Sequence, residues 1–234
     1  TTYTIRYRQS FPALHPLVAE PAVAGRILFM SDRDGDWDLY IMNADGTGVR
    51  PLTDNTVDDW SGNFSPDGSQ ITFDGYRDGD VEIFTISADG TDLRQLTDNN
   101  HQDSFPAWSP DGTRIAFQSD RTGAYQIFTM AADGTGPVQV TTVDTGAWAV
   151  PSWSPDGTRI AFSGTTDGDA EIFVVNTGGG DPVQLTSNEG AGDRWPKWSP
   201  DGTRIAFESD RDGDWELFTM AADGSDIRQL TSNE

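Results

Sequence analysis

The chain has 234 residues, 38 acidic against 15 basic side chains for a formal net charge of −23, and no cysteine. Without cysteine there is no disulfide framework, thiolate metal site or cysteine nucleophile. The negative field argues against nucleic acid and anionic membrane surfaces as partners, and favours divalent cations and cationic peptides. No apolar run approaches the roughly 18 residues of a membrane span, and residues 1–10 lack the apolar core of a signal peptide, so the reading is a mature protein or an excised domain without membrane insertion.

In chain order, Tyr3 to Arg8 alternates like a strand, and Leu14 to Pro21 follows. Arg26–Phe29, Asp38–Met42 and Val49–Thr53 then supply three strands of a first unit, with no Trp-Ser-Pro-Asp-Gly element before them. Both segments are candidates for the missing inner strand; the favoured arrangement puts Leu14–Pro21 inside the blade, with the Tyr3 strand capping an edge. From there one pattern recurs. Phe29, Phe73, Phe117, Phe162 and Phe207 are spaced by 44 or 45 residues, and Leu52, Leu96, Val140, Leu185 and Leu230 keep the same step.

Within the third copy, Pro106-Ala107-Trp108 leads into the turn Ser109-Pro110-Asp111-Gly112, where proline and glycine sit where a tight turn needs them. Arg114–Phe117 and Gln126–Met130 read as strands, Asp133-Gly134 as a second turn and Val138–Thr141 as a fourth strand. Apolar residues occupy both faces of these strands, so every sheet needs a neighbour on each side. Four-stranded sheets packed radially satisfy that need. The expected fold is all-β, a five-bladed β-propeller of four-stranded antiparallel blades, with residues 1–23 closing or capping the first blade. The repeats run over about 24–60, 61–105, 106–150, 151–195 and 196–234. A sixth blade would take the length to about 270 residues at this period.

The run Trp153-Ser154-Pro155-Asp156-Gly157-Thr158-Arg159-Ile160-Ala161-Phe162, together with Ser209-Asp210-Arg211-Asp212-Gly213-Asp214-Trp215-Glu216-Leu217-Phe218, resembles the TolB-type propeller repeat. The resemblance covers about residues 24–234. It implies a periplasmic or extracellular protein whose propeller engages partner proteins or peptides near the channel mouth. Other members of that family are sensor domains, propellers attached to serine peptidases, and polysaccharide lyases. The chain differs from TolB in having no separate N-terminal α/β domain and no sixth blade, which argues against a role in outer-membrane maintenance.

Tracing the meander places two acidic sets of loops on one face. One set contains Asp32, Asp34, Asp36 and Asp38, and again Asp210, Asp212 and Asp214. Alternating aspartates around a glycine can wrap oxygens onto a hard cation, so these seven are candidate calcium ligands, although Asn43 stands where a bidentate glutamate would complete a calcium loop. The competing reading is that Asp and Gly satisfy loop backbone through Asx turns. In the other set Asp59, Asp103 and Asp193 hold equivalent positions, with Trp148 replacing the acid in the fourth copy. A partial carboxylate ring there, with Trp148, Arg194 and His101 beside it, is a candidate binding site at the channel mouth. Its competitor is that each aspartate caps its own loop. Trp108, Trp153, Trp198 and Phe64 recur with the repeat and are read as core, whereas Trp37, Trp60, Trp148, Trp195 and Trp215 lie in or beside upper loops, where exposed aromatics suit a partner and burial against neighbouring blades is the competing reading.

The function expected is a non-enzymatic, monomeric binding or sensor propeller engaging a protein, peptide or glycan, with no required cofactor and calcium as an option. One alternative is a polysaccharide hydrolase or lyase using His101 with nearby carboxylates. Another is a repeat-amplified scaffold without a dedicated site.

Overall fold

The computed structural model describes residues 3–4, 25–142, 145–146, 149–166 and 168–232. Five four-stranded sheets follow one another along the chain. The first holds β1 (Tyr3–Thr4), β2 (Arg26–Ser31), β3 (Asp38–Asn43) and β4 (Arg50–Pro51). The second holds β5 (Asp59–Phe64), β6 (Gln70–Arg77), β7 (Asp80–Ser87) and β8 (Arg94–Gln95). The third is β9 (Asp103–Trp108), β10 (Arg114–Ser119), β11 (Gln126–Ala131) and β12 (Val138–Gln139). The fourth is β13 (Ser152–Trp153), β14 (Arg159–Thr166), β15 (Asp169–Asn176) and β16 (Val183–Gln184), and the fifth is β17 (Asp193–Trp198), β18 (Arg204–Ser209), β19 (Glu216–Ala221) and β20 (Arg228–Gln229). The fold is a five-bladed β-propeller, and no helix occurs among the described residues.

The repeated phenylalanines explain the blade. Phe117 lies directly opposite Phe128 in the β10–β11 register, with ring centroids 5.9 Å apart. The same cross-strand pair recurs as Phe73–Phe84, Phe162–Phe173 and Phe207–Phe218, and as Phe29–Tyr40 in the first blade. Such pairs are the unit of sheet stabilisation. The outermost strands are two residues long and exposed, short enough to leave little edge for another chain to pair with. Gly134 marks where blades touch, at φ +88° and so close to the preceding blade that a Cβ would stand 2.8 Å from the Leu96 carbonyl oxygen.

Three inner strands carry a bulge whose bulged residue is left-handed: Ser61 (φ 52°), Phe105 (φ 56°) and Trp195 (φ 56°). These strands begin at Asp59, Asp103 and Asp193, a little ahead of the repeat boundaries drawn from sequence. In the first blade β1 pairs parallel with β2, Tyr3 opposite Ile27 and Thr4 opposite Leu28. The long stretch between the two strands permits a parallel pairing that a tight turn does not. The Tyr3 strand thus takes the inner position beside β2 instead of the edge expected for it, and Leu14–Pro21, the segment favoured for that place, lies outside the described residues.

One seam interrupts the radial packing. Leu39, Ile83, Ile127 and Ile172 have no exposed surface, yet Leu217 at the same repeat position is 44% exposed. Ala206 and Thr219 beside it are half-buried where Ala116, Ala161 and Thr129 are buried. On the first blade Ile27 and Phe29 are half-buried, although their equivalents Ile71 and Phe73 are fully buried. Among the described residues no strand of the fifth sheet lies against a strand of the first.

Candidate functional site

The two acidic sets of loops do meet on one face. The Trp37 amide donates to Asp58 Oδ1 and the Asp59 amide to the Trp37 carbonyl. Further along the ring Gln102 donates to Asp120, Gly190 to Asp169 and Gly192 to Asp210. The last three are backbone amides of inter-blade loops held by aspartates at the strand connections, and in the first blade the roles are reversed, so these carboxylates organise the face itself.

Asp59, Asp103 and Asp193 have no exposed surface, which corrects the expectation of an open carboxylate ring. Each is the anchor of a buried cluster. Asp103 Oδ2 accepts from Arg121 Nη2 at 2.8 Å and Asn99 Nδ2 at 2.7 Å. Asp193 accepts from Arg211 at 2.9 and 3.0 Å and from Asn188. Asp59 lies 3.3 Å from Arg77 and accepts from Asn55. Burial raises the Asp59 carboxyl above its usual range, opposed by Arg77 and Asn55. The guanidinium of each arginine also lies over the phenylalanine pair of its own blade, as Arg121 does over Phe128 at 4.8 Å and Arg211 over Phe218 at 4.6 Å. Desolvated charges need such compensation. The acid and the arginine stand 18 residues apart in every case. The sequence carried that signal: the fourth copy has lost both members, with Trp148 and Thr166 at the two places. Trp148 lies outside the described residues.

His101 is exposed, with Nδ1 3.4 Å from Asp120 Oδ1. Arg194 sits differently. Its guanidinium lies 3.3 Å from the centroid of Trp215 and 4.8 Å from that of Trp195, with Nε 3.8 Å from Glu208. Trp195 and Trp215 are 36% and 40% exposed. The bulge in β17 turns Trp195 out of the regular strand alternation, a common use of bulges beside binding sites.

Of the candidate metal ligands, the structure gathers three. Asp34, Asp36 and Asp38 each place a carboxylate oxygen within 4.8 Å of the others. Asp32 is exposed and its carbonyl closes a turn with the Gly35 amide. Asp210, Asp212 and Asp214 do not converge. Asp210 is committed to the Gly192 amide, Asp212 accepts from Gln229, and Asp214 is exposed. The buried position at the start of each third strand is filled by Asp38, Glu82, Gln126, Glu171 and Glu216 in turn. Burial pushes Asp38 up to about 6, with Thr53 opposing and Asp36 and Asp34 adding, and pushes Glu82 up to about 7 against bonds from Thr97 and the Asn99 amide.

The turns on the opposite face are Asx turns. Asp67, Asp111, Asp156 and Asp201 each accept from a Ser or Thr hydroxyl and from a backbone amide two residues on. The hydroxyl of Ser65, Ser154 or Ser199 is the main cause that holds Asp67, Asp156 and Asp201 down to about 2. Towards this face the inner strands line a cavity of about 250 Å³ that includes Asn63, Trp108, Ser152, Trp153 and Lys197. Phe64, Trp108, Trp153 and Trp198 are half-buried there and pack against the blade cores. Among the described residues lining the cavity, Lys197 is the one ionisable group.

Comparison with curated proteins gives no match. Among solved structures, the putative TolB of Agrobacterium tumefaciens is 24% identical with a TM-score of 0.70, covering 80% of this chain and 66% of that one. TolB of Acinetobacter baumannii is 22% identical with a TM-score of 0.72, covering 83% and 49%. An oligogalacturonate lyase in complex with manganese is 17% identical with a TM-score of 0.67, covering 88% and 62%. The chain thus spans between about half and two thirds of the TolB structures it matches. At these identities the likeness establishes the propeller fold. The sequence description of the TolB beta propeller domain matches residues 60–148 and 135–234, most of the chain, and the chain belongs to that family.

Proposed function

We propose that this propeller is a non-enzymatic binding domain, working outside the cytoplasm, whose upper face engages a protein, peptide or glycan through Arg194, Trp195 and Trp215. The observation that carries this reading is the guanidinium lying over two exposed indoles on the upper face. Trp and Arg dominate the energetics of interfaces, and a stacked arginine gives up little side-chain freedom on binding. The exposed His101 faces Asp120 at the surface rather than a cleft. The similar structures include TolB proteins and the nidogen/laminin complex, the latter 13% identical with a TM-score of 0.68.

The test immobilises the full chain, passes periplasmic extract and a glycan panel over it, and identifies what is retained. Saturable retention that is displaced by soluble chain, and lost in Trp195→Ala/Trp215→Ala but kept in Pro66→Ala on the opposite face, supports the reading. Retention indifferent to the two tryptophans refutes the assigned surface. Release of unsaturated products from oligogalacturonate, abolished by His101→Ala, replaces binding with lyase chemistry.

A further inference from the structure

The five blades are internal controls for one another, and the first departs from the rest in how its loop carboxylates are held. In the second and fourth blades the buried glutamate following the strand-connecting loop is fully used. Glu171 accepts the Thr186 hydroxyl with one oxygen and the Asn188 amide with the other, at 2.6 and 2.8 Å. Glu82 likewise reaches the Asn99 amide at 2.6 Å. In the third blade the position is the neutral Gln126, which accepts from Thr141.

Asp38 holds this position in the first blade with one methylene fewer. It keeps the threonine bond, Thr53 donating to Oδ1 at 2.8 Å, but reaches no amide. Its Oδ2 is buried without a hydrogen-bond partner, in a residue only 1% exposed. Oδ2 of Asp36 is buried and unpartnered as well. A bound cation would satisfy an oxygen in that condition. The third member of the group, Asp34, is fixed by a hydrogen bond of 2.6 Å from the Tyr40 hydroxyl. Tyr40 is the single tyrosine at a position that is phenylalanine in the other four blades, Phe84, Phe128, Phe173 and Phe218. Two features peculiar to this blade, the shorter acid and the added hydroxyl, therefore converge on one spot, and among the described residues only here do the three carboxylates gather.

We propose that Asp34, Asp36 and Asp38 bind one hard divalent cation of the calcium type, with Tyr40 and Thr53 orienting the carboxylates from behind. Oxygen atoms within 4.8 Å of one another suit a common ion at roughly 2.3–2.6 Å from each, water completing the shell. The assignment is confined to the first blade, because among the described residues only its carboxylates gather; in the second blade Glu82 is held by the Asn99 amide, and in the fifth Asp212 accepts from Gln229 and Asp214 stands exposed. It is independent of the partner surface on the fifth blade.

The test is calorimetric titration of the full chain with calcium chloride at constant ionic strength, alongside thermal melting in calcium and in chelator. One saturable site per chain is expected, with a higher melting temperature in calcium. Asp36→Asn, at a half-buried loop position, should weaken the site at least tenfold, and Tyr40→Phe should weaken it less. Asp212→Asn in the fifth blade should leave it unchanged. Terbium provides a second readout, since emission sensitised from this site should fall in Trp37→Phe. Absence of saturable heat, or binding that is equal in wild type and Asp36→Asn, overturns the proposal.

Discussion

Replacing Asp103 with alanine separates a structural carboxylate from a ligand-binding one. The substitution removes two hydrogen bonds to a charged acceptor, from Arg121 at 2.8 Å and Asn99 at 2.7 Å, and strands the Arg121 guanidinium. Removing one member of a buried ion pair costs about 3–5 kcal/mol. Arg121 is itself 21% exposed and remains stacked on Phe128, so it recovers part of its hydration, which places the expected loss near the low end, about 3 kcal/mol. For a domain of this size that corresponds to a fall in melting temperature of roughly 6–12 °C. Urea unfolding followed by tryptophan fluorescence measures it. The double variant Asp103→Ala/Arg121→Ala should be less destabilised than the sum of the two single ones, because the stranded charge has gone. An Asp103→Ala chain that melts within a degree of wild type would refute the reasoning and return the residue to the open binding ring expected from sequence.

The seam makes a second contrast: Ile172→Ala, at a position without exposed surface, should cost about 2–5 kcal/mol, whereas Leu217→Ala should cost only about 1 kcal/mol because that side chain is 44% exposed and leaves no enclosed cavity. Equal losses in urea titration would mean that the outer face of the fifth blade is covered in solution. Gly134→Ala should destabilise by more than about 1 kcal/mol, since the new Cβ meets the Leu96 carbonyl oxygen at 2.8 Å and the backbone is left-handed there; an unchanged urea midpoint would refute that contact. Glu82 has a folded pKa of about 7, above its ordinary 4.5, so the folded state holds the proton more tightly and stability should fall as pH rises from about 4.5 to about 7, then level off. Glu82→Gln, which copies the third blade, should lose less stability than wild type between pH 5 and pH 8; identical pH profiles would count against the shift.

The sequence alone determined the fold, since apolar residues on both faces of four short strands, repeated at a step of 44 or 45 residues, can be buried only by stacking one sheet on the next. It also placed the acidic loops on one face, because a meander alternates its connections between two ends. What it left open was which acids are free. Asp59, Asp103 and Asp193 looked like a ring at a mouth, but their arginine partners lie 18 residues downstream and are brought alongside only by the strand register. The motif Asp-x-Asp-Gly-Asp occurs in the first and fifth copies alike, yet its carboxylates gather only in the first. There a shorter Asp38 and the Tyr40 hydroxyl change where oxygens point by a bond length or two, a difference that periodicity does not encode. The exposure of Leu217 likewise belongs to the tertiary structure. Identical repeats receive identical local structure, but burial depends on having a neighbour, and a repeat cannot show in its own residues whether one is there.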